Sequence, residues 1–278
     1  MIFQKSACIE TLYTELPFLE RFRAARADGF DFVEFWSWTD KDLAAVRAAA
    51  DAAGVGISGF NGDAELSLID PAQKTAYKAF LRRSLDAAME IGARSVTVHS
   101  NGLGEGGRVL CPYDDLSDTV KLCTMFDTLK IAAGWAENCG IRINLEPLNI
   151  TTDHPGLMPA MKLGLSNLVV MYALLFLNTR TAAELTRLIG SPYLKVLYDV
   201  YHMQLNEGSL CDHIRAYADQ FGHIHVADAP GRHEPSTGEI HYPAVFAALE
   251  QAGYRGLIGY ELFPKTDTKT AVRAIMAD

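Results

Sequence analysis

The chain has 278 residues, 49% of them apolar, and a formal net charge of −9. That size and apolar content fit one large globular domain and exclude a disordered chain. The acidic balance argues against nucleic acid as a partner, and five scattered cysteines without a C-x-x-C spacing argue against a disulfide framework or a cysteine zinc site.

The N-terminus, Met1-Ile-Phe-Gln-Lys5, carries no apolar leader, so cytoplasmic residence is expected. Short apolar runs then recur as expected strands near 5–9, 31–36, 55–60, 94–99, 141–146, 194–199, 223–227 and 257–261. Helical patterns lie between them. Pro17 to Ala27 places Phe18, Phe22 and Ala25 on one face, with Pro17 at an N1-like position. Pro71 to Ile91 carries Phe80, Leu81, Leu85 and Met89 as an expected core stripe, and Asp115 to Cys139 is a further long helix. Gly29, Gly54, Gly92, Gly140, Gly190, Gly222 and Gly253 each stand where a helix ends and a strand begins. Glycine accepts the left-handed conformation that ends a helix. Repeated helix–Gly–strand junctions read as βα units around a parallel sheet. Eight strands predict an α/β fold of the (β/α)8 TIM-barrel type, one domain spanning residues 1–278. No G-x-G-x-x-G follows the first strand and no phosphate-binding P-loop is present.

One stretch breaks the rhythm. Residues 157–176, in the loop after the fifth strand, are too apolar for a surface connection, yet Pro159, Lys162, Ser166 and Asn167 argue against a membrane span. A helix packed on the barrel, a subunit contact of a homo-oligomer and a lid over the site are all open.

Four of the strands end in residues suited to metal binding: Glu146, Asp199, His225 and Glu261. Active sites of such barrels are built at the C-terminal ends of the strands. Each residue alone has a plain alternative: an ion-paired buried glutamate, a helix cap, a core histidine. Together they form an oxygen-rich set with one imidazole, suited to a divalent metal ion, Mg2+ or Mn2+ first and Zn2+ or Co2+ as alternatives. A cation held by two glutamates can polarise a carbonyl and an adjacent hydroxyl and stabilise an enediolate. Glu146 and Glu261 would then serve as an acid–base pair, taking a proton from one carbon and returning it to the next. That is the chemistry of an aldose–ketose isomerase or a sugar epimerase, with a small oxo acid or sugar as partner and no membrane.

His202, Arg232, His99, Asn61 and Glu234 are expected to line the substrate pocket. Arg232 sits among Gly and Pro directly after the His225 strand, a natural carboxylate clamp, with a surface salt bridge as the alternative. His223 shares a strand face with His225. Glu34 ends the second strand and is placed to line the pocket or support the ligands.

The residues Thr14–Phe22, Val33-Glu-Phe35, Ile57–Asn61, Glu146-Pro-Leu-Asn149, Tyr198–Gln204 and above all Ala227–Ile240 resemble the hydroxypyruvate isomerase family of the xylose-isomerase-like barrels. The resemblance covers nearly the whole chain. It implies a TIM barrel, a divalent cation, paired glutamates at Glu146 and Glu261, and metal ligands at Asp199 and at position 225. Position 225 is often Gln in hydroxypyruvate isomerases, whereas the related ketose 3-epimerases have His, as here. Other relatives on the scaffold isomerise 2-oxo-tetronates or decarboxylate branched oxo sugar acids. The expected function is therefore a metal-dependent isomerase of a short hydroxy-oxo acid, with a ketose 3-epimerase or an oxo-sugar-acid decarboxylase as alternatives. An abasic-site endonuclease would need three metals and many more histidines. A non-catalytic binding barrel would have no use for the four ligand-type residues.

Overall fold

The computed structural model describes residues 3–150, 152–154 and 178–277. Eight parallel strands close into a barrel in chain order: β1 Lys5–Cys8, β2 Phe32–Phe35, β3 Gly56–Asn61, β4 Ala93–Val98, β5 Arg142–Leu145, β6 Leu194–Asp199, β7 Phe221–His225 and β8 Ile258–Tyr260. β1 and β8 seal the ring, with Lys5 opposite Ile258 and Ala7 opposite Tyr260. The expected eight strands and their closure are thus observed.

Side chains alternate along each strand. Val33, Ile57, Val96, Ile143, Ile224 and Ile258 are buried in the core between sheet and helices. The opposite face points into the barrel, where branched apolar residues are the usual filling. Here that face carries small and polar groups. Ser6 and Ser58 bring their hydroxyls within 2.7 Å of each other, and Ser58 reaches Glu34 at 2.8 Å. The strands are apolar on one side only, which leaves the lumen free for chemistry.

The helices start and stop where their caps dictate. Lys74–Ile91 begins later than Pro71 because Asp70 Oδ1 accepts the Ala72 amide at 2.8 Å and holds 71–73 in a turn. Asp118–Cys139 begins after Ser117, whose hydroxyl accepts the Val120 amide at 3.3 Å. Pro17 occupies the cap position of Phe18–Ala27 rather than its first turn. The Lys74–Ile91 helix buries Tyr77, Leu81, Leu85 and Ile91, so Leu81→Ala would cost about 2–5 kcal/mol. Met89, expected on that stripe, is 45% exposed because its position turns away from the sheet. Gly54, Gly92, Gly140 and Gly190 cap helices in the left-handed conformation, as expected. Gly222 does not. It lies within β7, and a Cβ there would meet Asn144 Oδ1 at 2.3 Å, so close approach across the lumen explains it.

The apolar stretch 157–176 lies outside the described residues. No helix among the described residues is long and apolar enough to cross a membrane.

Candidate active site

Asp199 and His225 are the last residues of β6 and β7, and Glu146 and Glu261 directly follow β5 and β8. All four side chains turn to one point at the C-terminal mouth, where one donor atom from each lies within 4.8 Å of the others. His225 Nδ1 is 3.3 Å from Glu261 Oε2, 3.8 Å from Glu146 Oε1 and 3.9 Å from Asp199 Oδ2. Asp199 also caps the following helix, Val200–Asn206, through Oδ1, which accepts the Tyr201 amide at 2.8 Å. Oδ1 thus serves the cap, while Oδ2 faces the cluster.

The arrangement fits a divalent cation on its own terms. Glu146 Oε1 is buried, faces the cluster and has no hydrogen-bond partner among the described residues. An orphaned buried acceptor is costly unless something positive meets it. Burial raises the Asp199 carboxyl, and the like charges of Glu146 and Glu261 add to this, outweighing Arg232 and His225. The result is a rise from 3.8 to about 6. Burial acts on Glu261 too, but Arg232 and His225 overcome it and hold that carboxyl well below the usual range. For His225, burial disfavours the charge, and Glu34 and Glu261 more than compensate.

Around the cluster, each glutamate has a neighbour that fixes it. The Trp36 indole Nε1 donates to Glu261 Oε1 at 2.6 Å. His99 Nε2 lies 3.2 Å from Glu146 Oε2, and His99 Nδ1 lies 3.2 Å from Asp63 Oδ1. Burial opposes charge on His99, but Asp63 and Glu146 push it up to about 10. Arg232 donates from Nη2 to Asp199 Oδ2 at 3.2 Å and to Glu261 Oε2, and its guanidinium lies over the Tyr201 ring. It is thus a partly buried bridge between two carboxylates of the cluster, not a surface salt bridge.

His202 is fully buried. Its Nδ1 accepts the Asn149 amide at 3.2 Å, and its Nε2 lies 3.4 Å from Asp199 Oδ2. Asn61 lines an open cleft together with Trp36, Glu34, His225 and Glu261. Glu234 stands apart from the cluster: its Oε2 accepts the Lys265 amide at 2.9 Å and ties two loops together. Trp36, Asp63 and Asn149 join the site without having been expected there. Trp36 directly follows β2, the same strand-end placement that marks the four cluster residues. Asp63 and Asn149 carry no comparable signal.

The chain matches the family described as xylose isomerase-like TIM barrel over residues 22–277. A protein of Cupriavidus necator named 2-oxo-tetronate isomerase is 31% identical, with 96% of this chain and 95% of that protein covered. The Escherichia coli protein named hydroxypyruvate isomerase is 28% identical, with 96% of each chain covered. Among solved structures, one from Brucella melitensis titled AP endonuclease, family 2 superposes with a TM-score of 0.82 at 26% identity, over 99% of this chain and 98% of that one. The chain belongs to the xylose isomerase-like TIM barrel family, within its hydroxypyruvate isomerase group.

Proposed function

We propose that this protein is a metal-dependent isomerase of a short hydroxy-oxo acid, in the size range of hydroxypyruvate and 2-oxo-tetronate. It is an enzyme of the isomerase class, as its relatives are named. The observation that carries this reading is the convergence of Glu146, Asp199, His225 and Glu261, which brings three carboxylates, two of them glutamates, from separate strand ends to one point. Those four residues would hold Mg2+ or Mn2+, with Zn2+ or Co2+ as alternatives. When bound, the cation supplies positive charge beside the substrate's oxygens as negative charge develops there.

The protein's own groups do the rest. One of Glu146 and Glu261 takes a proton from the hydroxyl-bearing carbon, and the neighbouring carbonyl carbon receives a proton in turn. The hydroxyl carbon is oxidised to a carbonyl while the carbonyl carbon is reduced to an alcohol, the hydroxyl proton passing to the former carbonyl oxygen, so no external oxidant is needed. His99 holds Glu146 from one side and Trp36 holds Glu261 from another, which keeps each carboxylate at its station. Arg232, with Asn61 in the cleft and His202 behind Asp199, would meet a substrate carboxylate, exchanging one of its own carboxylate partners for it. Glu234 would fix the loop that carries Arg232. The five cysteines are all unpaired, in keeping with a cytosolic enzyme.

A ketose 3-epimerase is the second reading, favoured by histidine rather than glutamine at position 225. The endonuclease title belongs to the Brucella protein, and a net charge of −9 is poorly suited to a phosphate backbone. Incubation with Mn2+ in D2O tests the reading: deuterium should enter hydroxypyruvate or a 2-oxo-tetronate beside its carbonyl. Exchange into neutral ketoses alone would favour the epimerase.

A further inference from the structure

Behind His225 lies a second buried group that the proposed reaction does not use. Glu34 comes from β2, and its side chain crosses the lumen toward β7. Its Oε2 accepts from His223 Nε2 at 2.9 Å and lies 2.8 Å from the Ser58 hydroxyl and 3.2 Å from that of Ser6. Its Oε1 faces His225 Nε2 at 3.2 Å. The neighbouring strand makes room for this arrangement. A Cβ on Gly259 of β8 would stand 2.4 Å from Glu34 Oε1, 2.7 Å from His223 Nε2 and 2.8 Å from His225 Cδ2. Three strands are thus shaped around one carboxylate–imidazole contact.

A neutral imidazole carries one proton and has two places for it. If the proton sits on Nδ1, it lies on the side of Glu261 Oε2, 3.3 Å away, and the lone pair is on Nε2, turned from the cluster. If it sits on Nε2, it lies on the side of Glu34 Oε1, a buried carboxylate oxygen that accepts no hydrogen bond among the described residues, and the Nδ1 lone pair faces the cluster. We infer that Glu34 is a positioning residue that holds the His225 proton on Nε2 and so presents Nδ1 to the Glu146, Asp199 and Glu261 carboxylates. This rests on the proposed metal reading of that cluster. His223 and the two serines hold Glu34 itself in place, so the carboxylate does not swing into the cleft. A carboxylate behind a ligating histidine fixes ring orientation and makes the ligand more basic.

The test is Glu34→Gln, which keeps the shape but offers an N–H where the carboxylate accepted one. Mn2+ binding at neutral pH by calorimetry should weaken by about 10–100-fold, with the circular dichroism spectrum and Tm near wild type. Glu34→Asp, which keeps the charge, should recover part of that loss. In the Zn2+-loaded wild type, the nitrogen-15 shifts of His225 should show a protonated Nε2 and a metal-bound Nδ1. Unchanged Mn2+ affinity in Glu34→Gln overturns the inference. So does an equal loss in both variants that merely follows a fall in Tm. If the wild type itself binds no Mn2+, the metal reading fails first and carries this inference with it.

Discussion

Trp36 and Glu261 come from strands that are neighbours of β1 on either side, and they meet at the barrel mouth, where the indole N–H donates to Glu261 Oε1 at 2.6 Å. Trp36 is 40% exposed, so one edge of the ring is open to the cleft while its nitrogen is committed to a carboxylate. A hydrogen bond to a charged group contributes about 1.5–3 kcal/mol. Trp36→Phe should therefore loosen Glu261 with little effect on Tm and lower kcat/KM by roughly tenfold or more. Steady-state kinetics check this, and unchanged kcat/KM would show that Glu261 is held by other contacts.

The two glutamates are expected to matter for turnover rather than for folding. Glu146→Gln and Glu261→Gln keep the side-chain shape and remove the base. Loss of a positioned acid–base group costs roughly 10²–10⁴-fold in rate, and weaker metal binding adds to it. Rapid-quench measurement of kcat at saturating Mn2+ separates the two effects. A variant with wild-type kcat loses its place in the proton transfer.

Arg232 joins Asp199 and Glu261 and is expected to recognise a substrate carboxylate as well. Arg232→Lys retains the charge but not the two-pronged donor, so KM should rise for an oxo acid and hardly change for a neutral ketose. Equal effects on both substrate types would favour the epimerase reading.

Acidity offers an independent check through Asp199. Its carboxyl is raised from 3.8 to about 6, so the folded protein holds that proton more tightly than the unfolded chain does. The stability this adds to the metal-free protein is fully present below the unfolded value and is lost as pH rises through about 6. A cation competes with the same proton and binds better as the proton leaves. The rise in Tm on adding Mn2+ should be small at pH 5 and larger at pH 7. An equal rise at both would show that Asp199 is not a ligand.

Much of the barrel and of its strand-end cluster is legible in the sequence. Strand ends are marked by an abrupt change from apolar residues to Glu, Asp or His, and the four candidate ligands sit within one residue of their strand ends. His225 paired with His223 follows from the two-residue period of a strand, and both rings do face Glu34. What stays hidden depends on contacts between distant parts of the chain. Trp36 touches Glu261 only because β1 and β8 close the barrel, and Asp63 touches His99 only because β3 and β4 pair. Met89 escapes the helical pattern because spacing identifies a stripe but not its edge, and a stripe's flank points to solvent. Glu234 has the local setting of a pocket residue, yet its carboxylate is engaged by the Lys265 amide, a contact no local pattern records.

One divalent cation is proposed to sit among Glu146, Asp199, His225 and Glu261. A crystal grown with Mn2+ and measured for anomalous scattering checks this at the atomic level. One strong peak is expected at roughly 2.0–2.6 Å from an oxygen of each of the three carboxylates and from His225 Nδ1. A fully loaded crystal with no peak there, or with the peak held by other residues, would contradict it.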